Sequence, residues 1–338
     1  MPRLRGRNIT NTRRKTKQPS DMHAHNRRAW RGIAEAAIAY RHSAVVGDPS
    51  VQDCLRLIDE EIPGVSLDRY GDCGWFSWTR TESPSDADIA ILAEIARSAG
   101  LCHWLVDVVI DRGRDPNRAR RFKSDAFPEQ WQAQDAGLAF ELRSDSGLSP
   151  GLFLDQRRNK VRLVEQASEA RVLNLFSYTC AFSVAAAVGG AEKVVSVDIS
   201  KSYCEWGRRN FRLNGIDDTA HLFWHIDVRD YLKMASKKGM RFDIIIIDPP
   251  SFSRGPGRLF KIRNELPILV EACVELLNDN GCIMASTNLR TWRGGAFRDD
   301  ILRAPNTVAI DKPAVTPLPP DFTTGSTASK VIWVALAH

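Results

Sequence analysis

The chain has 338 residues, 43% of them hydrophobic, and 47 Lys and Arg against 41 Asp and Glu, enough to bury more than one core. No apolar run approaches membrane-spanning length and the Arg-rich start has no apolar signal core, so a cytoplasmic protein with no membrane partner is expected. Seven cysteines without a C-x-x-C or His-rich cluster predict free thiols in a reducing compartment and no metal site.

The net charge of +6 is uneven. Residues 1–45 hold eleven Lys and Arg, among them Arg13, Arg14, Lys15, Arg27 and Arg28, against Asp21 and Glu35; that segment is +9 and the remainder −3. A basic arm on a near-neutral body is the footprint of polyanion binding. Its first twenty residues are too polar to pack and are expected to be partly disordered. From Asn26 to Tyr40 the spacing predicts a helix with Trp30, Ile33, Ala37 and Tyr40 on one face.

Residues 46–145 read as a small α+β domain in contact with RNA. Ser85 is placed to cap a helix with Ile89, Leu92, Ala96 and Ala99 in one stripe, stopped by Gly100. Trp104 to Ile110 alternates as a strand and opens into a loop carrying Arg112, Arg114, Arg118, Arg120 and Arg121. That loop reads either as a phosphate-contacting element facing a cleft or as a charged surface turn.

Residues 146–338 alternate strand and helix. Arg171 to Phe176 is a short buried strand that runs into Ser177-Tyr178-Thr179-Cys180 and a small-residue helix. A second strand ends in Asp198, and Ser200 caps the next helix, which Gly215 stops. His225 and Ile226 lead to Asp227, and the run Ile244–Ile247 ends in Asp248-Pro249-Pro250-Ser251-Phe252. Such alternation implies a mostly parallel sheet with right-handed crossovers and a ligand at its carboxyl end. The first turn lacks the G-x-G-x-x-G that admits a pyrophosphate, and no phosphate-loop lysine follows. The ligand then needs ribose and adenine contacts without a pyrophosphate cradle, which suits S-adenosylmethionine. Val331 to Ala335 is expected as a terminal strand.

The stretch from Gly147 to Trp292 resembles the Rossmann-like class I S-adenosylmethionine-dependent methyltransferases, with a seven-stranded sheet, and within them the 23S ribosomal RNA large-subunit methyltransferase I and K/L group. The resembling pieces are Gly151 to Arg157, Asn174 to Thr179, Ser196 to Ser200, Asp248 to Ser253 and Gly281 to Asn288; Ile62 to Asp72 resembles the preceding small domain of that group. The resemblance implies that Phe153, Asp155, Gln156 and Arg157, with Asn174, Phe176, Ser177, Tyr178 and Thr179, surround the methionine end of the cofactor. It places Asp198, Ile199 and Ser200 at the ribose, Asp227 and Val228 at the adenine, and Asp248 beside the reactive methyl. Asp248, Pro249, Pro250 and Phe252 would hold the acceptor base.

Carbon-5 of a pyrimidine needs a thiolate to attack the ring first, and neither Pro250-Ser251 nor Ser286-Thr287-Asn288 offers a cysteine. A guanine nitrogen of 23S ribosomal RNA is therefore the expected acceptor, with no metal required. The alternatives are a 5-methylcytosine ribosomal RNA enzyme, or a non-catalytic RNA-binding assembly factor that keeps the fold.

Overall fold

The computed structural model describes residues 19–109, 120–147, 149–255, 258–311, 315–322 and 328–337, and its side chains apart from those at 19–26, 120 and 252–259. Helix α1 (Pro19–Ala44) opens the fold. Trp30, Ala34, Ala37 and Arg41 recur every three or four residues and are all buried, so one face is committed to the interior. Residues of the expected arm are thus part of a core, and Tyr40, 58% exposed, points away from it. The partners of this face are β1 (Cys54–Ile62) and α2 (Asp86–Ser98). Ser85 caps α2 through a capping box with Asp88, as its position predicts.

A five-stranded sheet runs in the order β1, β2 (Val65–Tyr70), β3 (Cys73–Trp78), β4 (His103–Val108), β5 (Arg120–Lys123). Only β3 and β4 are parallel, because α2 carries the chain between them. The hairpin β6 (Gln130–Asp135) and β7 (Leu138–Arg143) follows. It joins both halves of the molecule. Trp131 Nε1 donates to the Tyr70 carbonyl at 3.1 Å, while the Glu141 N–H donates to Asn210 Oδ1 at 2.9 Å.

The second half has α3 (Arg157–Gln166), β8 (Arg171–Leu175), α4 (Ala181–Val188), β9 (Lys193–Asp198), α5 (Lys201–Leu213), β10 (Leu222–His225), α6 (Val228–Lys237) and β11 (Phe242–Ile247). The hairpin β12 (Phe252–Gly255) and β13 (Arg258–Lys261) precedes α7 (Ile262–Val274), β14 (Leu277–Thr287), α8 (Gly294–Ile301), β15 (Thr307–Ala309) and β16 (Lys330–Leu336). The seven-stranded sheet has the order β10-β9-β8-β11-β14-β16-β15, parallel from β10 to β14, with β16 antiparallel to both neighbours. Side chains on successive strand residues leave by opposite faces. Ile244 and Ile246 accordingly pack with Leu163, Val184 and Phe211, and Ile245 and Ile247 with Tyr231, Leu269 and Phe297. Both faces are covered, which is why the strand reads as an unbroken isoleucine run.

Arg157 sits where the halves meet. It is 1% exposed; Nε bonds Asp135 Oδ1 at 2.6 Å, Nη1 bonds Asp321 Oδ1 at 2.7 Å, and Nη2 donates to the Cys54 carbonyl at 3.0 Å. Asp321 also accepts from the Arg56 backbone N–H at 3.0 Å, and its carbonyl accepts from Arg41 Nε at 2.9 Å. The apolar core is continuous here too: Cys54, Tyr70 and Trp75 of the first half cluster with Leu152, Leu163 and Phe182 of the second.

Candidate active site

Connections leave β8 toward one edge of the sheet and β11 toward the other, which opens a crevice at the carboxyl ends of these neighbouring strands. A cavity of about 630 Å³ occupies it. The turn after β8 forms one wall by an unusual route. Phe176, Tyr178 and Cys180 have φ of 57°, 48° and 64°, the left-handed region that costs a side-chain-bearing residue about 1–3 kcal/mol. The turn's N–H groups are largely engaged inside the fold: Ser177 N donates to the Val197 carbonyl at 3.0 Å and Cys180 N to the Ser177 carbonyl at 2.7 Å. The surroundings hold the turn in place: Tyr178 N donates to Asp198 Oδ2 at 2.9 Å, Asn210 Nδ2 to the Thr179 carbonyl at 2.9 Å, and Thr179 Oγ1 to the Gly151 carbonyl at 2.6 Å. Gly151 has φ +120°, and a Cβ there would lie 2.5 Å from the Trp206 ring, so this close approach admits glycine alone.

Phe153, Gln156, Phe176, Ser177, Tyr178, Thr179, Asp198, Ile199, Ser200, Asp227, Val228, Asp248, Pro249 and Pro250 all line the cavity. Asp198 accepts from Ser200 N at 2.8 Å as well as from Tyr178 N, and burial raises its pKa from the ordinary aspartate value. Asp227 caps α6 and is clasped by Arg229, whose Nη2 lies 2.8 Å from Oδ2. Asp248 accepts from Ser286 Oγ, and burial lifts its pKa to about 6. Pro249 and Pro250 extend from it as a ledge, and Ser251 Oγ beyond them donates to Asn288 Oδ1.

The structure takes other expected residues elsewhere. Arg157 lies outside the cavity, held by Asp135 and Asp321: successive helical residues turn about 100°, so Gln156 faces the cavity and Arg157 the domain joint. Asn174 stays inside β8, where its Nδ2 donates to Ser183 Oγ at 2.8 Å. Asp155 accepts from Ser329 N at 2.6 Å and lines a second cavity, of about 320 Å³, between the first half's sheet and the strand tips. Phe252 begins β12, and its side chain lies outside the described residues.

Arg13, Arg14, Lys15, Arg112, Arg114 and Arg118 also lie outside the described residues, as does the side chain of Arg120. Arg27 pairs with Asp88 at 3.3 Å and Arg28 is exposed. Arg121 donates to the Ser144 carbonyl at 2.6 Å and lies over the Trp75 ring, so it is engaged within the fold. Sequence reasoning missed Lys160, Tyr203, Arg229 and Phe260, all of which line the cavity. Lys160 lies four residues beyond Gln156 and Tyr203 three beyond Ser200, one helical turn in each case, and that spacing was the available signal. No cysteine lines either cavity among the described residues. Cys180, nearest in sequence, is fully buried and burial pushes its thiol up to about 12.

Residues 93–327 match the S-adenosylmethionine-dependent methyltransferase family. Among curated proteins, the chain is 34% identical over 255 residues to the ribosomal RNA large subunit methyltransferase K of Neisseria meningitidis serogroup B, covering 71% of this chain and 70% of that one. It is 39% identical over 258 residues to the ribosomal RNA large subunit methyltransferase K/L of Shewanella woodyi, where it covers 71% of this chain and only 35% of the relative. Of solved structures, SMU.776 complexed with SAH aligns at TM-score 0.79 and 29% identity, over 91% of this chain and 81% of that one.

The cavity suits the cofactor these findings imply. Gln156 Nε2 and Ser177 Oγ are buried in its wall without a hydrogen-bond partner among the described residues, an arrangement rarely left unfilled. They offer donors to a carboxylate, while Asp198 offers acceptors to vicinal hydroxyls.

Proposed function

The chain belongs to the S-adenosylmethionine-dependent methyltransferase family, and we propose that its acceptor is a guanine nitrogen in large-subunit ribosomal RNA. The observation that carries this reading is the Asp248-Pro249-Pro250 ledge, which ends in a buried carboxylate with no cysteine lining the cavity around it. A nitrogen lone pair needs alignment and charge placement; a pyrimidine carbon needs a thiolate that nothing here supplies. The names of the relatives support ribosomal RNA as the substrate class.

S-adenosylmethionine supplies an electrophilic methyl on a sulfonium. Gln156 and Ser177 would hold its amino-acid end, Asp198 its ribose, and Ile199 and Val228 would flank the adenine. Asp248 is mostly ionised at neutral pH, because its pKa of about 6 lies below it. It places a negative charge beside the positive charge carried by donor and methylated base. The proline carbonyls have no neighbouring N–H of their own ring to compete with, so they remain open to a base edge. Phe153 and Tyr178, their rings 5.9 Å apart, form part of the cavity wall.

The test is methyl transfer from labelled S-adenosylmethionine to unmodified large-subunit ribosomal RNA, followed by digestion and identification of the methylated nucleoside. Methylguanosine is expected. Methylcytidine would overturn the choice of base, and absence of transfer to RNA would overturn the substrate class.

A further inference from the structure

The second cavity adjoins the first: Phe153, Ser251, Asn288 and Ser329 line both. Its far wall comes from the five-stranded sheet, through Arg56, Glu60, Asp68, Tyr70 and Trp75. Most of those charges are already committed within the sheet. Arg56 bonds both oxygens of Asp68, at 2.5 and 3.1 Å, and Asp59 at 2.8 Å. Glu60 differs from them in three ways. It sits on a bulge in β1, where the register with β2 slips between Asp59 and Ile62. Its φ is +72°, which a residue with a side chain adopts only under strain. Its carboxylate reaches across the cleft to Arg290, with Oε1 2.8 Å from Nη2.

Arg290 lies two residues beyond Asn288, which accepts the Ser251 hydroxyl of the ledge. One carboxylate of the first half is therefore turned, at a cost in backbone strain, toward the loop that borders the acceptor ledge of the second. Bulges re-aim side chains beside active sites, and strain persists where the surroundings over-determine it.

We propose that Glu60 is a specificity-determining residue that reads the acceptor base by accepting two hydrogen bonds from its edge. This rests on the RNA guanine reading above and deepens it. Guanine is the one common RNA base with two adjacent donors, N1–H and the N2 amine, on its pairing edge; adenine and cytosine set a donor beside an acceptor, and uracil sets its donor between acceptors. Two parallel donors match the two oxygens of a carboxylate. An unpaired base offers this edge only outside a duplex. Arg290 holds Glu60 in the meantime, and beside a bound guanine it is left to donate to an acceptor such as O6.

The experiment uses the full chain, labelled S-adenosylmethionine and a large-subunit ribosomal RNA transcript, with SAH affinity and thermal unfolding measured alongside. Glu60→Gln, which turns one acceptor into a donor, is expected to raise KM for the transcript tenfold or more and leave SAH affinity within about twofold. Glu60→Gly should raise KM likewise while raising the unfolding temperature by about a few degrees, since glycine adopts this φ without strain. That opposite movement shows that the rise in KM does not come from a loss of fold. Unchanged KM in both variants overturns the proposal. If the wild type transfers nothing to RNA, or methylates another base, the functional reading itself has failed, and that is read before any variant is made.

Discussion

The two adjoining cavities are built by opposite means. The larger is made from one continuous region: a backbone turn, three neighbouring strand tips and the rings around them, from Gly151 to Ser251, with few outliers. The smaller is assembled from segments far apart in the chain, with Arg56, Glu60 and Trp75 facing Asp155, Ser251, Asn288 and Arg290. A site that holds one invariant cofactor can be written into a local pattern. A site that must recognise a particular acceptor draws on charges which only the folded domains bring together.

The largest effect is expected at the joint on which this contrast depends. Arg157→Ala leaves Asp135 and Asp321 buried beside a vacated charge, so denaturant unfolding should show a loss of about 3–5 kcal/mol. SAH affinity measured calorimetrically on the folded fraction should hold, since Arg157 lies outside the donor cavity. A selective loss of SAH binding with normal stability would restore it to the cofactor site and break the comparison.

Next in size is Asp248→Asn. Transfer should fall about 10²–10³-fold with SAH binding retained. In the wild type, kcat should drop as pH falls through about 6, where the carboxylate takes up its proton. Stability runs the other way. A carboxyl whose pKa rises on folding contributes stability below its unfolded pKa of 3.8, and that contribution is lost as pH climbs through about 6. The asparagine variant lacks this loss, so at pH 7 it should be more stable than the wild type by about 3 kcal/mol, with the gap closing by pH 4.

Gly207→Ala is a smaller probe of the turn. A Cβ there would stand 2.3 Å from Cys180 Sγ, so about 1–3 kcal/mol of destabilisation is expected, with weakened SAH binding as the turn is displaced. Cys180→Ala should be the mildest of all, leaving transfer within a few-fold of wild type because no thiolate takes part. Complete loss of transfer with the fold and SAH binding intact would bring the cytosine mechanism back.

Much of the larger cavity's lining was legible in the sequence. The isoleucine run, the three acids at strand ends and the serine caps each carry a local signal, and Asp198, Asp227 and Asp248 line one cavity as the series of strand tips predicts. The left-handed turn was not legible. Phe176, Tyr178 and Cys180 carry side chains, and nothing local marks them for positive φ; the hydrogen bonds from Tyr178 to Asp198 and from Asn210 to Thr179 come from other elements. Arg157 was misread because its neighbour Gln156 does face the cavity. The β1 bulge at Glu60 was also hidden, since it exists only in register with β2.

The Arg157 cluster also decides how the protein can be divided. Its bonds run to Cys54 in the first half, to Asp135 in the bridging hairpin and to Asp321 just before the last strand, and the apolar core passes through the same place. A fragment beginning at residue 146 would retain every strand of the large sheet and still face solvent with a severed guanidinium network and an open hydrophobic seam. Exchanging either half for a foreign counterpart would likewise cut these three attachments unless their partners travelled with it.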